Sequence, residues 1–90
     1  MTQTQKAQRI RPLSDIAWEI QSDWKKPYFG AVPYIRTMSE LNSISDMYYA
    51  DTAASIVTYF LSNASSWRGE VARRVKRELS SMLERHQRRV

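Results

Sequence analysis

Cysteine is absent from this chain of 90 residues, glycine occurs twice and histidine once. Without cysteine there are no disulfide staples, no thiolate nucleophile and no zinc knuckle, which fits a reducing compartment. Two glycines cannot build a phosphate-cradling loop, and no GxxxxGK[ST] run occurs. The lone His86 lies near the last residues of the sequence, so a histidine-based triad or a His-rich metal site has nothing to draw on. Carboxylate pairs remain, but those of the first helix, Asp15, Glu19 and Asp23, lack a visible partner that would tune them for proton transfer. These absences argue against an enzyme, a cofactor site and a metal centre.

Long apolar runs are missing too. The longest stretch without a charge, Thr52–Trp67, is studded with Ser, Thr and Asn and is shorter than a membrane span needs. The first twelve residues, MTQTQKAQRIRP, contain no apolar block of the kind a secretion signal carries. A soluble cytoplasmic protein with no membrane partner is the expectation.

What the chain does have is aromatic mass and a polarised charge. Three Trp, five Tyr and two Phe enlarge the core that a single small domain can build. From Trp67 to Val90 there are eight Lys/Arg against three Glu, a surplus of five; the remainder holds six of each sign. The entire formal charge of +5 therefore resides in the last segment.

That segment, Ser65–Val90, organises the fold. Val71, Ala72, Val75, Leu79, Met82 and Leu83 recur at three- and four-residue steps and fall on one side of a helix. Arg73, Arg74, Lys76, Arg77 and Arg88 fall largely on the other, giving an amphipathic helix with a basic outer face. Ser66 can cap it, and Gly69 falls in its first turns, where close approach of another backbone would explain a glycine. Ala72, Val75, Leu79 and Met82 keep a 3-4-3 spacing that could pair two copies of the helix, although core packing accounts for it better.

The earlier segments read in order. Residues 1–11 form a flexible basic arm with Lys6, Arg9 and Arg11. Pro12 to about Lys25 is a first helix, striped by Leu13, Ile16, Ala17, Ile20 and Trp24. Asp15, Glu19 and Asp23 make an acidic ridge beside that stripe, placed to face water or to pair with the basic helix. Trp18 lies off the stripe, on a wider core or a contact surface. Lys25–Pro33 (KKPYFGAVP) breaks the helix and crowds Tyr28, Phe29 and nearby Tyr34 around one loop. Pro33–Leu41 is a second short helix, Asn42–Asp46 a turn, and Ile44 to Tyr49 an irregular or short helical piece. Asp51 caps a third helix over about Thr52–Asn63, apolar on more than one face and hence central. The sum is an all-α protein: one helical domain over residues 12–84, a bundle of about four helices, with a basic tail at 85–90.

The segments IRPLSDIA, KKPYFGAVPY, SIVTYFLSNASSWRGE and VARRVKRELSSML together resemble a family of small all-helical proteins of actinobacterial phages and prophages, over about Ile10–Leu83. The resemblance implies a phage-encoded accessory or early protein acting in the cytoplasm of an infected bacterial cell. It transfers no catalytic or binding residue.

Two partner classes follow from the residues themselves. Trp, Tyr, Met and Arg are the types enriched at interface centres, so Trp18, Tyr28, Phe29, Tyr34 and Trp67 are candidate anchors for a host protein. The alternative is nucleic acid, held mainly by phosphate contacts from Arg73, Arg74, Lys76, Arg77, Arg85, Arg88 and Arg89. The third and fourth helices with a four-residue polar turn are superficially a helix-turn-helix, but the turn lacks the common glycine. A second copy of the chain is a further candidate partner.

Overall fold

The computed structural model describes residues 10–88. Lys6, Arg9 and Arg89, called above as part of a basic arm and tail, lie outside the described residues.

Helix α1, Leu13–Asp23, begins immediately after Pro12, whose φ of −61° and ψ of 146° place it just outside the helix. No side chain caps α1. Its first orphan donors go instead to backbone carbonyls: Leu13 N–H bonds Asn42 O and Ser14 N–H bonds Leu41 O, each at 2.9 Å. The start of α1 is thereby fastened to the loop that follows α2, Val32–Met38. Pro33 occupies the first turn of α2, where its missing N–H costs nothing.

The chain then departs from an all-helical path. Met47–Tyr48 and Asp51–Thr52 form a minimal antiparallel pair, β1 and β2, with Met47 opposite Thr52 and Tyr48 opposite Asp51. A two-residue hairpin loop favours positive φ, and Tyr49 supplies it at 55°. The Asp46 carboxylate braces the turn before β1 by accepting the N–H groups of Asn42 and Ser43, both at 2.9 Å. Those two donors hold the Asp46 carboxyl below its ordinary range, with Ser43 the larger influence.

This hairpin changes one capping assignment. Helix α3 starts one residue later, at Ala53 (Ala53–Ser62), so Thr52 and not Asp51 caps it, its hydroxyl accepting the Ser55 N–H at 3.0 Å. The connection from Asn63 to Gly69 spans seven residues rather than a four-residue turn, because it must fold Trp67 inward. Ser66 does not cap α4, Glu70–Arg88. Gly69 precedes that helix at φ 113°, and its carbonyl accepts the Arg73 N–H at 3.0 Å. A side chain at Gly69 would meet nothing within 4 Å, so the glycine is required by its left-handed backbone and not by a close neighbour.

Packing joins the helices in a ring: α1 lies on α2 and α4, and α3 lies on α2 and α4. Leu13, Ile16, Ala17 and Ile20 from α1 meet Ile35 and Met38 from α2, Ala53, Ile56, Val57 and Phe60 from α3, and Ala72, Val75, Leu79 and Met82 from α4. Every residue of the 3-4-3 stripe on α4 is therefore buried within one chain, which removes that stripe as a surface for pairing two copies. At one end Trp24 and Trp67 stack, with Phe60 meeting both rings edge-on.

Of the acidic ridge, Glu19 pairs with α4 and with the segment before α1. Arg11 reaches Glu78 with two bonds, Nε at 3.0 Å and Nη2 at 2.7 Å, and touches Glu19 at 2.9 Å. Glu19 in turn pairs with Arg74. Arg11, placed in the basic arm by the sequence reading, is thus held against α1 and α4. At the other end α4 continues to Arg88, so Arg85–Arg88 is helix and not a separate tail.

Candidate functional site: an aromatic face on α2 and α3

The loop Lys25–Ala31 follows from its sequence. Trp24 closes α1 with an N–H bond to Ile20 O at 2.8 Å, and Pro27 prevents the helix from resuming. Trp24 turns into the core, which leaves the next two aromatic residues outside. Phe29 is 78% exposed and Tyr28 47% exposed, with ring centroids 4.9 Å apart.

A second ring pair continues this surface. Tyr34, partly buried on α2, lies 5.5 Å from Tyr59 of α3, which is about half exposed. Gly30 connects the two pairs. A Cβ at Gly30 would stand 2.6 Å from Tyr28 Cε2 and 2.9 Å from Asn63 Oδ1. The Tyr28 ring and the Asn63 amide therefore pack on the same point of backbone. Asn63 in turn donates from Nδ2 to Tyr59 O at 2.9 Å. Four rings from the loop, α2 and α3 consequently share one face, with Lys25 and Lys26 exposed at the start of the same loop.

The other sequence candidates separate. Trp18 projects from α1 at 72% exposure, on a different helix from this cluster. Trp67 is not a surface anchor: it is buried, stacked on Trp24 at 5.7 Å, and its Nε1 donates to Asp23 at 2.9 Å. Its position in a Ser-rich turn concealed this, because burial there depends on Trp24, forty-three positions earlier. Tyr59 was missed, although it lies about 100° off the Ile56–Phe60 side of α3, just as Trp18 lies off the α1 stripe. Tyr49, at the hairpin tip, is also exposed.

The basic residues of α4 divide by what they touch. Lys76 Nζ donates to the Trp67 carbonyl at 2.7 Å and sits 6.0 Å from the centre of its ring. Burial, reinforced by the nearby charge of Arg68, lowers its pKa. Arg74 is held by Glu19 and Arg88 by Glu84 at 3.1 Å. Arg73, Arg77 and Arg85 are exposed and make no ion pair among the described residues.

Among the described residues no charged or polar side chain is buried, and no three His, Asp or Glu are grouped to hold a metal ion. No helix there is long and apolar enough to cross a membrane. The chain matches no protein-family model, no curated protein and no solved structure. The phage-family resemblance thus rests on the quoted segments alone.

Proposed function

We propose that this chain is a small non-catalytic interaction module that binds another protein through Tyr28, Phe29, Tyr34 and Tyr59. The observation that carries the reading is Phe29: a phenyl ring 78% exposed, whose ring partner, Tyr28, is another exposed aromatic. Leaving such a ring in water forgoes the burial free energy that an aromatic side chain gains when covered, and clustered aromatics are the usual anchors of protein interfaces. Lys25 and Lys26 on the same loop would favour encounter with an acidic surface. With the phage resemblance, the partner is a host protein and the chain a phage accessory protein. Affinity capture from bacterial extract tests this: a partner held by the native chain should be lost with Phe29→Asp while the circular dichroism is unchanged. Retention of the same partner by that variant would refute the reading.

A second reading is favoured by one observation. Arg73 and Arg77 stand exposed and unpaired one turn apart on the outer face of α4, a spacing suited to successive phosphates. Nucleic-acid binding there would be weak in sequence preference and strongly weakened by salt. With Lys76 bonded to the Trp67 carbonyl and Arg74 and Arg88 paired with Glu19 and Glu84, fewer free cations stand on this face than the basic residues of the sequence imply.

A further inference from the structure

A cleft of about 360 Å³ opens at the end of the molecule away from the tryptophan stack, between the Ile10–Pro12 segment, the Asn42–Ser45 loop and the last turns of α4. We infer that it is a binding site for a small organic carboxylate with a short apolar body.

Three features of the wall specify that chemistry. Ile10, Ile44 and Met82 supply the apolar floor, and Ile10 is 59% exposed. An apolar group seated there would cover that surface. The titratable groups that line the cleft are Arg11, Arg85 and His86, and no carboxylate is among them. Arg11 is neutralised by Glu78 and Glu19, whereas Arg85 has no ion-pair partner among the described residues. An anion entering the cleft would therefore meet one uncommitted guanidinium, with planar paired donors that match a carboxylate. The volume suits a ligand of drug-fragment size, and an apolar wall with a few convergent polar groups is the usual make-up of small-molecule sites.

The cleft is also held open by construction. Leu13 and Ser14 fasten one wall to Leu41 and Asn42 through backbone bonds, and Asp46 braces the loop that forms the other. Little reorganisation is needed before binding, which lowers its entropic cost. This site lies apart from the aromatic face and stands or falls independently of it.

The test is an NMR titration of the full ¹⁵N-labelled chain with sodium hexanoate, 1-hexanol and sodium phosphate in parallel. Hexanoate should shift the amides of Ile44, Ser45, Arg85 and His86 saturably, with Kd on the order of 1 mM, the scale for a ligand of about eight heavy atoms. Hexanol should bind about tenfold more weakly, and phosphate should not saturate these amides. Arg85→Ala, at an exposed position, should keep the native spectrum elsewhere and weaken hexanoate about tenfold, with Arg85→Lys between the two. Equal binding of hexanol would reduce the cleft to a greasy surface and overturn the inference. So would saturation by phosphate alone, hexanoate binding unaffected by Arg85→Ala, or no saturable shift.

Discussion

The indole of Trp67 stacks on that of Trp24 with 5.7 Å between ring centroids and 11° between planes. Trp67 also donates to Asp23 and offers its carbonyl to Lys76, so one residue ties the α3–α4 connection to the end of α1 and to α4. Trp67→Ala should cost about 3–5 kcal/mol, a large part of the stability of so small a domain. Trp67→Phe keeps a ring on Trp24 but loses the bond to Asp23 and should cost roughly half as much. Urea unfolding followed by far-ultraviolet circular dichroism measures both.

Acid should loosen the contact between α1 and α4. The Arg74 guanidinium is the largest influence on the Glu19 carboxyl and lowers its pKa from the ordinary 4.5; burial opposes this in part, and Arg11 adds to the lowering. A carboxyl that is more acidic when folded binds fewer protons in the native state. Its contribution is therefore complete above about pH 4.5 and is lost as pH falls through the lowered folded value. Stability measured between pH 6 and pH 3 should fall, and Glu19→Gln should flatten the Glu19 part of that slope. At neutral pH the same substitution should cost only about 1 kcal/mol, since the pair is partly solvated.

How far the sequence discloses this fold depends on the range of the interactions. The stripes on α1 and α4 are local periodicities, and Leu13, Ile16, Ala17, Ile20, Val75, Leu79 and Met82 are buried where those periodicities place them. The β1–β2 hairpin is two residues long on each side, too short to imprint an alternation, and Tyr49 at positive φ gives no glycine or asparagine signal. The fate of Trp67 and of the basic residues is set by distant partners. Arg74, Lys76 and Arg77 read alike along the chain, yet only Arg77 is left unengaged. The aromatic loop was legible as a crowd of rings, whereas the joining of Tyr28 to Tyr59 through Gly30 and Asn63 required three dimensions.

The two glycines should respond differently to alanine. At Gly69 the φ of 113° makes any side chain strained, so Gly69→Ala should cost about 1 kcal/mol or more although nothing is nearby. At Gly30 the added methyl meets the edge of the half-exposed Tyr28 ring at 2.6 Å and Asn63 Oδ1 at 2.9 Å, so both side chains must give way. Gly30→Ala should lower the unfolding midpoint only modestly, since both neighbours are side chains, while displacing Tyr28 and Asn63, which NMR shifts of the Tyr28 ring and the Asn63 side-chain amide would register.

The arginine face makes its own quantitative statement. If Arg73 and Arg77 contact phosphates, retention of labelled duplex DNA at 50 mM salt should collapse at 200 mM, and Arg73→Ala/Arg77→Ala should lower the salt slope by about 2. Fluorescence anisotropy reads both. Retention that survives 200 mM salt, or that the double variant leaves unchanged, would exclude this face as the contact.

The most direct measurement is photocrosslinking from single positions of the full chain in bacterial extract, with benzoylphenylalanine replacing Phe29 in one variant and Ser80, exposed on the outer side of α4, in another. Docking through the aromatic face predicts one discrete adduct from position 29, none of that mass from position 80, and competition by excess native chain but not by Phe29→Asp. The same adduct from both positions, or no competable adduct from position 29, would contradict a protein-binding role for this face.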